Sequence, residues 1–352
     1  MIDLIKFYLN LLFNRKIELS QLCTPLSSVN SSKKIAVLFF FDSAKMTYIQ
    51  DYLPNFDLFY LKKNLYHLSI IKWIIQQNIE ILVWGYRDQD KFGNLFPQSK
   101  NLSRVEDGFL RSKGLGKRGA PPLSLVIDSR GLYYNSHGES DIEFILNNHQ
   151  FTNAEIHQAK KAINLFIFSG VSKYNHAPKI SLETLIGKAL KPRVLVIGQV
   201  KNDASLKYGG ISRYNDYQLV KIAKQENPEC EIIFKMHPDT AVIKGGQSDN
   251  LPEIHKLATV ILEDIVPSSL FSNVDKVYTF TSLMGFEALI HGLPVVCVGS
   301  PFYSGWGLTD DRKKIERRKK KLTLEEIFYA TYFLYPKYPY YDYYDLIEHL
   351  ST

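Results

Sequence analysis

Three short stretches of this chain bring together side chains that can move a group between oxygen atoms. Gly198-Gln199-Val200-Lys201-Asn202-Asp203-Ala204-Ser205 offers a carboxylate, Phe234-Lys235-Met236-His237-Pro238-Asp239 a Lys/His pair, and Thr279-Phe280-Thr281-Ser282-Leu283-Met284-Gly285-Phe286-Glu287-Ala288-Leu289 a hydroxyl-rich helix start. Each follows an apolar run of strand length. In an open parallel sheet, ligands bind just beyond the carboxyl ends of the strands. Cations and a free helix N-terminus suit a phosphate, and a carboxylate at the same rim can act on whatever that phosphate activates. A nucleotide sugar fits that outline.

The elements that must position these residues alternate. In the second half, strands are expected at 193–197, 231–235, 259–262, 276–280 and 294–298, with helices near 214–227, 268–273 and 283–291. Gly292 and Pro294 end the last of these in the usual way. Thr323 and Glu326 form a capping box for a helix over 323–334. The first half gives strands at 35–41, 79–84, 103–107, 123–128 and 131–134, and helices at 65–77 and 154–168. This is the pattern of an α/β protein with parallel sheets. The grouping that follows is an N-terminal amphipathic extension over 1–30, a first Rossmann-like domain over 31–180, a second over 181–322, and a C-terminal helix with a Tyr-rich tail over 323–352.

Composition agrees with two domains. The chain has 352 residues, 45% hydrophobic and 13% aromatic, more than one core usually holds. Its three cysteines, Cys23, Cys230 and Cys297, stand far apart; that excludes a disulfide framework and a close-spaced zinc motif, and fits a reducing, cytoplasmic setting. The net charge of +7 comes largely from 312–321, with eight Lys/Arg among ten residues. Such a run is either a solvated loop or a surface drawn to anionic lipid or acidic polysaccharide. No nucleic-acid recognition motif accompanies it. The N-terminus is apolar but too short to span a bilayer; it packs on the protein body or lies at the membrane interface.

Longer motifs then carry a resemblance. Arg104-Val105-Glu106-Asp107-Gly108-Phe109-Leu110-Arg111-Ser112, Pro121-Pro122-Leu123-Ser124-Leu125-Val126-Ile127-Asp128 and Gly131-Leu132-Tyr133-Tyr134 resemble the first-domain signature of retaining β-Kdo glycosyltransferases of the KpsC type. Residues 199–205, His237-Pro238, residues 282–289 and Pro301-Phe302-Tyr303-Ser304-Gly305-Trp306-Gly307-Leu308-Thr309 are similar to the second-domain signature. The match runs in order from about Trp84 to Tyr338.

The resemblance implies a GT-B glycosyltransferase, two Rossmann-like domains facing across a cleft, with CMP-β-Kdo as donor and a glycan or lipid-linked saccharide of capsule or lipopolysaccharide synthesis as acceptor. KpsC carries two such modules; this chain has room for one. Lys201-Asn202 departs from the acidic residues expected before Asp203.

By the same resemblance Asp203 is the nucleophile of a double displacement; an Asx turn or N-cap beside Ser205 is its other reading. Lys235 and His237 would stabilise the departing CMP phosphate, the alternatives being a strand-end ion pair and a cap. Gln199, Thr281, Ser282 and Gly285 complete the donor site, and Glu287 would reach the ribose unless it is an ordinary solvated carboxylate. Glu106 is the candidate general base. Asp107 beside it caps a Gly-rich turn or joins Arg104 and Arg111 in holding the Kdo carboxylate or an acidic acceptor, ion pairs within the fold being the alternative for the arginines. No cofactor or metal is expected: Asp88-Gln89-Asp90 mimics a metal-binding D-x-D but lies in the first domain. A transferase for another CMP-sugar such as CMP-sialic acid, and a non-catalytic polysaccharide-binding or export protein, are the competing functions.

Overall fold

The computed structural model describes residues 6–8, 10, 18–30, 32–61, 68–77, 79–87, 101–114, 120–210, 215–237, 240 and 250–351. They gather in two compact units. The first comprises Met1–Asp107 with Leu125–Leu132, the second Gly108–Ser124 with Tyr133–Thr352.

In the first unit the sheet is ordered β1 (Cys23–Pro25), β3 (Phe56–Leu61), β2 (Lys34–Phe39), β4 (Glu80–Trp84), β5 (Leu102–Asp107), β6 (Leu125–Asp128). Strands β3, β2, β4 and β5 run parallel, while β1 and β6 pair antiparallel at the ends of this series. Strand β2 is buried from Ala36 through Phe39, as a strand covered on both faces must be. The sequence pattern misses β3 because Asp57 interrupts the apolar run. That carboxylate is buried, and it is satisfied by the backbone N–H of Asn30 at 2.8 Å.

The second unit carries the more regular sheet, ordered β12 (Asp310–Asp311), β11 (Val295–Cys297), β10 (Lys276–Thr279), β7 (Arg193–Ile197), β8 (Glu231–Lys235), β9 (Thr259–Ile261). Every pair in it is parallel. Strand β7 is buried at all five positions. It pairs with β8 on one side and β10 on the other, so the order reverses beside it and opens a crevice at the carboxyl ends. The expected strands of this half are found within a residue or two. Residues 131–134 form no strand, and the helices Asp141–Asn148 and Asn153–Ser169 belong to this unit. The Thr323 capping box is present; its helix runs Leu324–Tyr329 and passes into a π-helical turn over Ala330–Leu334. This is the mixed α/β, GT-B class of fold, built from two Rossmann-like units.

The basic run is not one solvated face. Arg318 is buried, with Nε on Glu143 at 3.1 Å, and Arg317 Nε reaches the other oxygen of that carboxylate at 2.7 Å. Arg318 also donates to the carbonyl of Ser304 at 2.7 Å and to its hydroxyl at 3.0 Å. Lys313, Lys314, Lys319 and Lys321 are exposed. Of the N-terminal helix, Phe7 is buried with its ring edge-on to Trp73, and the Tyr8 hydroxyl donates to Ser69 at 3.0 Å. Among the described residues no helix is long and apolar enough to cross a membrane.

Candidate functional site

At the carboxyl end of β7 the chain turns tightly. Gly198 is needed there, since a Cβ would stand 2.8 Å from the Phe234 ring and 3.1 Å from the Lys235 carbonyl. The turn is closed by Asp203 N–H to the Val200 carbonyl at 3.0 Å, with Asn202 in the left-handed region at φ 66°. Asparagine is one of the few residues that enters that region readily. Asp203 emerges half-buried as the N-cap of the short helix Ala204–Tyr208, taking the Ser205 N–H at 2.7 Å. The capping reading of this residue is therefore what its local bonds show.

Gln199 and Thr281 join the ends of β7 and β10. The Thr281 N–H donates to Gln199 Oε1 at 2.8 Å, and Gln199 Nε2 donates to Thr281 Oγ1 at 3.0 Å and to Ser205 Oγ at 3.2 Å. Asp216, absent from the sequence expectation, accepts the Gln199 N–H at 3.2 Å, and burial pushes its carboxyl up to about 6 against that bond. Ser282 caps the helix Leu283–Ile290 by accepting from Met284 N–H at 3.3 Å, and its carbonyl accepts from the buried Tyr303 hydroxyl at 2.6 Å. A Cβ on Gly285 would stand 2.2 Å from that hydroxyl, so the glycine makes room for Tyr303.

Lys235 ends β8 and is buried, its Nζ on the Met236 carbonyl at 2.7 Å. Burial lowers its pKa to about 8, against the pull of Asp264 and Glu263. His237 follows, half-buried. Glu287 is no solvated carboxylate: it is buried, takes the Ser172 hydroxyl at 2.8 and 3.0 Å and the Lys173 N–H at 3.3 Å, and burial raises its pKa to about 7. Arg111 falls in this second unit, buried, with NH1 on Ser112 Oγ at 3.0 Å and the Ala120 carbonyl at 2.8 Å. Ser205 and Thr281 share a cavity wall with Tyr133, Tyr134, Leu283, Pro301 and Phe302. Ser205 and this aromatic wall were missed by sequence reasoning; the Tyr133-Tyr134 pair in the first motif was the available signal.

The first unit holds the other expected residues. Arg104 donates to the Gly85 carbonyl at 2.7 Å and lies 4.1 Å over the Tyr86 ring. Glu106 and Asp107 end β5, both half-buried, and Glu106 Oε1 accepts the Asp107 N–H at 3.1 Å. Phe40, just past β2, adopts φ 64°, a region a bulky residue enters only under constraint, and Arg87 donates to its carbonyl at 3.3 Å. Asp88 and Asp90 lie outside the described residues. Among those described, no group of three or more His, Cys, Asp or Glu stands ready to hold a metal.

Comparison with known proteins agrees with this geometry. Residues 80–338 match the family described as capsule polysaccharide biosynthesis protein. The chain is 37% identical over 313 residues to the lipopolysaccharide-processing protein LpsZ of Rhizobium meliloti, covering 88% of this chain and 71% of that one. It is 35% identical over 264 residues to the capsule polysaccharide modification protein LipA of Neisseria meningitidis serogroup A, covering 74% of this chain but only 37% of LipA. Among solved structures, the β-Kdo 2,4 transferase of Thermosulfurimonas dismutans KpsC superposes with a TM-score of 0.77 at 32% identity, covering 92% of this chain and 99% of that one. With that match over most of its length and a Rossmann-like crevice bearing the motif residues, the chain belongs to the capsule polysaccharide biosynthesis protein family and is related to the KpsC Kdo transferases.

Proposed function

We propose that the protein is a retaining glycosyltransferase that moves β-Kdo from CMP-β-Kdo to a glycan or lipid-linked saccharide in capsule or lipopolysaccharide synthesis. The observation that carries this reading is the turn after β7, which sets Asp203 at the parallel sheet's switch point with the Gln199–Thr281 bridge beside it. Retention needs two inversions. In the first, a carboxylate oxygen of Asp203 bonds to the anomeric carbon as the bond to the CMP phosphate breaks. In the second, the acceptor hydroxyl displaces Asp203 and gives its proton to Glu106, the base in this reading by its place in the motif.

Lys235, His237 and the helix start at Ser282 are the groups to receive the departing phosphate monoester. They make a metal unnecessary, so activity should survive excess EDTA; restoration by magnesium after a loss would bring Asp88 and Asp90 back into consideration.

The test is the intact mass of the enzyme incubated with CMP-Kdo alone. A shift of one Kdo on the wild type, absent in Asp203→Ala while CMP binding stays near wild type, is the expected result. Undiminished turnover in Asp203→Ala would overturn the double displacement. Donor hydrolysis with CMP-sialic acid but not CMP-Kdo would replace the donor and keep the chemistry.

A further inference from the structure

The hydrogen-bond network around Gln199 leaves one donor over. Because Gln199 Oε1 must be the atom that accepts the Thr281 backbone N–H, at 2.8 Å, the orientation of the amide is fixed. Its two N–H hydrogens then go to Thr281 Oγ1 at 3.0 Å and Ser205 Oγ at 3.2 Å. The Thr281 hydroxyl gives its one hydrogen to Ser205 Oγ at 3.1 Å, the shorter of its two contacts, since Gln199 Oε1, at 3.3 Å, already accepts the Thr281 N–H. Ser205 accepts in every one of its side-chain bonds. A hydroxyl has one hydrogen to give, and among the described residues nothing takes it.

We propose that Ser205 is a donor-binding residue whose hydroxyl hydrogen goes to an anionic oxygen of the substrate, the sugar carboxylate or the leaving phosphate. This rests on the reading above. The Ser205 N–H holds Asp203 Oδ1 at 2.7 Å, and the Ser205 side chain lines the cavity with Tyr133, Leu283 and Phe302. Ser205 thus links this cavity to the Asp203 carboxylate. Both anions of the donor flank the attacked carbon, and each brings negative charge toward the carboxylate. A neutral donor offsets that charge without the ion pair to Asp203 that a cation would form, which would blunt the nucleophile. The same count assigns Gln199 and Thr281 to holding Ser205, since their own hydrogens are spent.

Titration calorimetry of Ser205→Ala and Ser205→Thr with CMP-Kdo, CMP and cytidine tests this. Loss of a hydrogen bond to a charged group predicts a fall in affinity on the order of tenfold or more in Ser205→Ala, no change for cytidine, and recovery in Ser205→Thr, which keeps the hydroxyl. A fall for CMP-Kdo alone assigns the sugar carboxylate; an equal fall for CMP assigns the phosphate. Should Ser205→Ala fail to fold by thermal unfolding, Ser205→Cys keeps the size with a weak donor and carries the same comparison. A wild type that ignores CMP-Kdo defeats the proposed donor, yet CMP against cytidine still reads Ser205. Binding of every ligand within twofold of wild type in a folded Ser205→Ala overturns the inference.

Discussion

The backbone N–H of Thr281 donates to the side chain of Gln199 at 2.8 Å, across the point where the strand order of the second sheet reverses. Two strand ends that diverge at a switch point have no ladder between them beyond the last paired residues. A side-chain amide that both accepts and donates replaces it.

Gln199→Leu should therefore be costly. It leaves the buried Thr281 N–H without its acceptor, a penalty of about 1–3 kcal/mol, and frees Ser205 from one of its two donors. We expect a lower Tm together with a loss of turnover of at least tenfold, measured as kcat/KM. Gln199→Glu keeps the acceptor and should recover Tm but not turnover.

Lys235 gives a pH dependence with a defined sign. Its folded pKa, about 8, lies below the usual lysine value because burial penalises the cation. The positive charge that the proposed function offers to the donor phosphate is thus present below pH 8 and is lost as pH rises through it. CMP affinity should fall from pH 7 to pH 9 in the wild type. Lys235→Met should bind CMP weakly with that step removed; an unchanged step would assign it to another group.

Glu287 makes the opposite kind of statement, about stability. Its folded pKa, about 7, is raised above the unfolded value by burial. The folded state binds the extra proton between pH 4.5 and 7, so the protein loses stability over that window as pH rises. Glu287→Gln retains an acceptor for the Ser172 hydroxyl and the Lys173 N–H. It should flatten the fall in Tm between pH 4.5 and 7 and equal or exceed the wild type at pH 8.

Within the basic run, Arg318 and the exposed lysines should separate. Arg318→Ala leaves the buried Glu143 carboxylate with Arg317 as its one remaining arginine and frees the Ser304 carbonyl, and breaking such a buried pair costs about 3–5 kcal/mol. Lys314, Lys319 and Lys321 are exposed. Changing these three to Ser should leave Tm within a degree or two and weaken salt-sensitive binding to anionic liposomes. Equal binding to neutral and anionic liposomes would show that this surface has no membrane role.

Much of the second sheet was legible in the chain because a fully buried parallel strand needs an unbroken apolar run, and β7, β8 and β10 each have one. That Gln199, Asp203, Lys235, His237 and Ser282 stand at the ends of those strands was legible for the same reason. Local signals also sufficed for the Thr323 capping box, which depends on four consecutive residues. What the chain could not disclose depends on partners distant in sequence. Asp57 hides a strand until Asn30 satisfies it, and Glu287 reads as a surface carboxylate until Ser172 closes over it. Arg318 looks like one charge among eight until Glu143, 175 residues away, draws it inside. Ser205 is the sharpest case: any serine has a hydrogen to donate, and only the tertiary placement of Gln199 and Thr281, which both donate to it, shows that this hydrogen is not spent on them.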